Sequence, residues 1–141
     1  MSGSRIVVGV DGSSSATRAL QWAARQAEVT GAELHVVGAW NWAATYGYVP
    51  TGEFDWEQET SSMLDEAIAK AVSAGHGVHL RKHVTQGHPA QVLLDASEGA
   101  DLLVVGSRGH GGFTGMLLGS VSQYLVTHAR CPVVVVRDAE S

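Results

Sequence analysis

Five short apolar runs alternate with four segments of helical periodicity along these 141 residues. That alternation leaves few folds open, because strands interleaved with helices build a parallel sheet covered on both faces. The first run is Ile6-Val7-Val8-Gly9-Val10. A helix follows, capped by Ser13, Ser14 or Ser15, with Ala16, Ala19, Leu20, Ala23, Ala24 and Ala27 on one face and Gly31 at its end. Glu33 to Trp40 is the second strand. Residues 41–55 are irregular, with Trp42, Tyr46 and Tyr48, and a second helix is expected from about Asp55 to Ala74, stopped by Gly75. Val78 to Val84 alternates: Val78, Leu80 and Val84 point one way and His79, Arg81 and His83 the other, the pattern of an edge strand. Pro89 opens a third helix that Gly99 ends, Leu102 to Val105 is the fourth strand, Ser120 to Ala129 the fourth helix, and Val133 to Val136 the fifth strand.

The length suits one domain spanning residues 1–141. The formal net charge of −5, with no Lys/Arg cluster, argues against a nucleic-acid partner. No apolar run is long enough to span a bilayer. Cys131 is alone, which excludes an internal disulfide and suits a small buried hydrophobe. With a strand beginning almost at the N-terminus and no secretory signal in view, a cytoplasmic location is expected.

The fourth strand runs into Gly106-Ser-Arg-Gly-His-Gly-Gly-Phe-Thr-Gly-Met-Leu-Leu-Gly-Ser120. A strand, a glycine loop and a helix start together suit phosphate. Glycines let amides approach an anion, and the helix start adds uncommitted donors and a positive partial charge. Ligands of open parallel sheets bind beyond the carboxyl ends of the strands, where the strand order reverses. Asp11, the 106–120 loop and the end of the second strand all lie at such ends.

Gly106-x2-Gly109-x9-Gly119-Ser120 resembles the Gly-x2-Gly-x9-Gly-Ser/Thr pattern of ATP-binding universal stress proteins. The likeness extends to Val10-Asp11-Gly12-Ser13, His35-Val36-Val37, Gly87-His88-Pro89-Ala90 and Cys131-Pro132 with its valines, and so covers nearly the whole chain. It implies an open five-stranded α/β sheet of order 3-2-1-4-5 with helices on both faces, a three-layer Rossmann-like fold. It also implies ATP binding, which some members show and others lack, and a homodimer paired through the Val133–Val136 edge.

By the same resemblance, Asp11 reaches the nucleoside, Gly9 and Val10 form the adjacent wall, and Val36 presents backbone groups to adenine. Val105, Gly106, Gly109, Gly119, Ser120, Val121 and Ser122 make the phosphate site, where both serine hydroxyls can donate. Asp11 also reads as a turn residue before Gly12, and Val36 as a core valine. Arg108 can neutralise phosphate or lie in solvent. His110 reads as a polar loop residue, with a hydrogen bond to a ligand as the alternative, and His79 with His83 are too few for a metal site. No Walker lysine is present, since Lys70 and Lys82 are both far from the loop. The site therefore suits holding ATP, with Mg²⁺ riding on the phosphates, more than cleaving it. The expected function is a nucleotide-dependent sensor or regulatory module. The alternatives are a slow ATPase or autophosphorylating enzyme, and a dimeric scaffold that needs no nucleotide.

Overall fold

The computed structural model describes residues 4–40, 55–72, 77–109 and 118–138. Its order is β1 (Arg5–Gly9), α1 (Ser14–Thr30), β2 (Glu33–Trp40), α2 (Trp56–Ala71), β3 (Leu80–Gln86), α3 (Pro89–Ala96), β4 (Leu102–Gly106), α4 (Ser120–His128) and β5 (Val133–Val136). The five strands form one parallel sheet in the order β3-β2-β1-β4-β5.

Strand periodicity divides the core between the two faces. On one face Ile6, Val8, Leu34, Val36 and Val104 meet the alanines of α1 together with Leu64 and Ala67 of α2. On the other, Val7, Val37, Leu103 and Val105 meet Val92 and Leu93 of α3 and Leu125 of α4. The bare α1 face lets that helix lie close: Ala19, Leu20 and Ala23 have no exposed surface. Ser13 caps α1, its hydroxyl accepting from the Ala16 amide, and Gly31 closes it in the left-handed conformation at φ 77°.

Two helix boundaries differ from the sequence reading. Asp55 is the cap of α2, its carboxylate accepting from the Gln58 amide, and α2 stops at Ala71 because Val72 is extended. Gly75 lies outside the described residues. The alternation in the third strand holds, with Leu80 and Val84 packed on the core, but ladder pairing begins only at Leu80. Cys131 is partly exposed rather than buried; it packs beside the second core, and that burial pushes its thiol pKa up.

Candidate functional site

β1 and β4 are neighbours whose following helices lie on opposite faces, so a crevice opens beyond their carboxyl ends. Asp11 sits there, exposed, with its Oδ1 accepting from the Ser13 amide at 2.9 Å. A Cβ added at Gly109 would lie 2.8 Å from Asp11 Oδ2. The root of the glycine loop is therefore already against the β1 turn. Gly119 returns to the same place, its amide donating to the Ser107 carbonyl at 2.6 Å. A Cβ at Gly119 would stand 3.3 Å from Arg108 Cα and 3.4 Å from the Gly109 nitrogen. The two ends of the motif thus meet although nine residues separate them; residues 110–117, including His110, lie outside the described residues.

Neither end is held by a left-handed glycine, since Gly106, Gly109 and Gly119 all keep negative φ. What calls for glycine at the first position is space. Gly106 is demanded by α1: a Cβ there would fall 2.7 Å from the Ser15 carbonyl carbon and 2.8 Å from the Ala16 nitrogen. Gly9 is demanded by α3, where a Cβ would meet Leu93 Cδ1 at 2.5 Å. Gly9 and Val10 are buried, so they lie beneath the crevice more than along it.

At α4 the N-cap is Gly119, which offers no side-chain hydrogen bond. The first-turn amides of Ser120, Val121 and Ser122 precede the first amide that can bond within the helix, that of Gln123 to the Gly119 carbonyl. Ser120 is exposed and Val121 half-buried against the second core. The hydroxyl of Ser122 departs from expectation. It is 4% exposed and donates to the Gly106 carbonyl at 2.6 Å, tying α4 to β4. Only its amide is left for a ligand.

The backbone of Val36 is placed by the sheet ladder. Hydrogen bonds alternate between the two neighbours of a central parallel strand. Val37 serves β1, its carbonyl accepting from Val10, while Leu34 and Trp40 serve β3 through His79 and Gly87. By that alternation Val36 bonds to β3, and its side chain has no exposed surface. Pairing with β1 ends at Val37, so the next residue to turn its amide and carbonyl toward the crevice is Ala39.

Two serines carry a role that the sequence reading missed. Ser15, 1% exposed, donates to the Arg108 carbonyl at 2.6 Å, and Ser13 Oγ lies 3.4 Å from the same oxygen. Arg108 is partly buried, with a guanidinium nitrogen 3.8 Å from Asp138, which also accepts from Ser14 at 2.9 Å. Val105 points into the second core, leaving only its backbone near the site.

Beside Asp11, a recess of about 350 Å³ opens toward Ser62, Met63 and Glu66 of α2. A larger groove of about 560 Å³ lies on the α3 face of the sheet and touches none of Asp11, Gly109 or Gly119. Among the described residues, no three His, Cys, Asp or Glu side chains converge as metal ligands, and no helix is long and apolar enough to cross a membrane.

The family model of the universal stress proteins matches residues 4–137. The chain belongs to the universal stress protein family. A universal stress protein of Mycobacterium tuberculosis is 38% identical over 144 residues, which cover 96% of this chain and 48% of that relative. One of Mycolicibacterium smegmatis is 36% identical, covering 94% and 45%. The chain thus spans about half the length of these curated relatives. Among solved structures, a universal stress protein in complex with cAMP is 30% identical with a TM-score of 0.70, over 94% of this chain and 95% of that one. The universal stress protein from Archaeoglobus fulgidus in complex with dAMP is 26% identical with a TM-score of 0.65, over 94% and 97%.

Proposed function

We propose that this universal stress protein domain binds ATP in the crevice between β1 and β4 and acts as a nucleotide-dependent regulatory module. The observation that carries the reading is the closure of the glycine motif. Gly119 returns to Ser107, so the uncapped start of α4 faces Gly109 and Asp11. Amides at a helix start, with a glycine on each side, suit an anionic tail. The cAMP and dAMP complexes of related proteins support an adenine nucleotide as the ligand.

In this reading the phosphates lie over the Gly109 amide and the first-turn amides of Ser120, Val121 and Ser122, with the Ser120 hydroxyl as a further donor. Asp11 accepts from the nucleoside, and the Ala39 backbone meets the base edge. Arg108 must leave Asp138 to reach phosphate. Mg²⁺ fits as a passenger held by phosphate and water, with Asp11 the nearby carboxylate. The donor set stabilises a bound triphosphate but brings no lysine to it. A holding role therefore stands ahead of hydrolysis.

The same module is proposed to pair through β5. The carbonyls of Pro132 and Val136 face β4, where they accept from Leu103 and Ser107. By strand alternation Val133 and Val135 turn their backbone groups outward along an apolar open edge. Two tests address the two parts. Freshly purified protein is denatured and the released small molecules are identified, with calorimetry of ATP and Mg²⁺ on the emptied protein. Adenine nucleotide is expected, and an empty protein that takes up none refutes the site. For the pair, light scattering should give a dimer that Val135→Pro converts to monomer, because it deletes an outward donor and leaves the β4 ladder intact. A parent monomer at all concentrations refutes the pairing.

A further inference from the structure

The α3 face of the sheet carries a chain of polar groups that the nucleotide reading does not use. Glu33 and His35 lie on β2, Arg81 and His83 on β3, the edge strand. Arg81 Nε donates to Glu33 Oε2 at 3.0 Å, Glu33 Oε1 lies 2.8 Å from His35 Nε2, and His35 Nδ1 lies 2.8 Å from His83 Nε2. The imidazole planes differ by 7° with centroids 4.9 Å apart. That spacing exceeds the nitrogen separation by about two ring radii, so the rings meet edge to edge, as partners in a hydrogen bond. Both line the 560 Å³ groove, over Val7 and Val37 and across from Val92 of α3.

The proton count of this chain is constrained. The Glu33 carboxylate accepts from His35 Nε2–H, so in a neutral ring Nδ1 is a lone pair. It accepts from His83 Nε2–H. One added proton leaves a single hydrogen in the contact, with the charge on His35 beside Glu33, and that bond stays in place while His83 is still neutral. A further proton puts N–H on both sides of the 2.8 Å contact and two cations in van der Waals range, so the contact must open. The surroundings set where this happens. Arg81 on β3, Arg5 on β1 and His35 on β2 face His83 with positive charge; Glu33 opposes them, and His88, Asp95 and Glu98 stand at the groove's far wall and ends.

We propose that His35 and His83 form an acid-sensitive latch between β2 and the edge strand β3. The pair holds one added proton and breaks on the second, releasing His83 from the groove floor and loosening β3. Partial burial, then the charges of His35 and Arg81, lower the His83 pKa from its ordinary 6.5. The sign follows. Below pH 6.5 the unfolded chain binds the proton more readily than the folded one, so stability falls as pH drops from 6.5 through the folded value, and is level above it.

Histidine ring NMR and urea unfolding of the intact chain, from pH 8 to 5, test the latch. His83 should titrate below 6.5, and the urea midpoint should decline only beneath that pH. His83→Gln should lose that decline, while His79→Gln, outside the pair, keeps it. Amide exchange at Arg81 to Thr85 should quicken in acid in the parent and not in His83→Gln. Should His83→Gln fail to fold, His35→Gln should move the His83 midpoint upward. A His83 midpoint at or above 6.5, an unchanged decline in His83→Gln, or an unmoved midpoint in His35→Gln overturns the latch.

Discussion

Gly106→Ala tests the claim that the first glycine of the motif serves the fold and not the ligand. The new Cβ would stand 2.7 Å from the Ser15 carbonyl carbon and 2.8 Å from the Ala16 nitrogen. Ordinary carbon contacts need about 3.5–4.0 Å, so the start of α1 must retreat by roughly 1 Å. The Ser15 hydroxyl, which the Cβ would also meet, can rotate aside, but these two neighbours are backbone atoms at the head of a packed helix and cannot. A retreat of that size stretches the 2.6 Å bond from Ser15 to the Arg108 carbonyl beyond useful range. Overpacking costs about 1–3 kcal/mol and the lost bond about 1 kcal/mol, giving roughly 2–4 kcal/mol in all. Urea unfolding followed by circular dichroism reads this directly, and Tm should fall by roughly 5–15 °C. Gly119→Ala is the comparison. Its Cβ would meet nothing nearer than 3.3 Å, so it should cost under about 1 kcal/mol. A Gly106→Ala protein within about 0.5 kcal/mol of its parent would refute the packing argument.

Three other outcomes are expected. Gly109→Ala, whose Cβ would press on Asp11 Oδ2 at 2.8 Å, should fold normally yet weaken ATP uptake in calorimetry by about tenfold or more, since about 1.4 kcal/mol of displaced contact suffices. Ser15→Ala strands the Arg108 carbonyl in a partly buried setting and should lose about 1–2 kcal/mol in urea, with loop-root amides exchanging faster. Cys131, its thiol pKa raised by burial, should react slowly with iodoacetamide at pH 7 and quickly once the chain is unfolded.

Periodicity exposed the sheet and its edges because it is a local property. The split of odd and even residues in Val7, Val8, Val36 and Val37 is visible in the strands themselves. The glycine motif was legible for a similar reason: its spacing is written in one segment. What stayed hidden depends on partners far away in the chain. Ser15 and Arg108 are 93 residues apart, and Ser122 reaches back to the Gly106 carbonyl. The requirement for glycine at positions 9 and 106 comes from Leu93 and from the backbone of α1. The side chain of Val36 carries no record of which neighbour its amide serves; that is fixed by where the ladder to β1 stops. Helix ends at Asp55 and Ala71 were blurred because a carboxylate can start a helix from inside or outside it.

The methyl groups of Ala16, Ala19, Ala23 and Ala27 set how far α1 stands from the sheet, and with it the reach of Ser13 and Ser15 toward the loop root. A mutation as mild as Ala23→Val, two turns beyond Ser15 and remote from any bound molecule, would therefore tilt the rod and slacken that grip. Damage to the pocket in this protein can begin on a buried surface that no ligand ever touches.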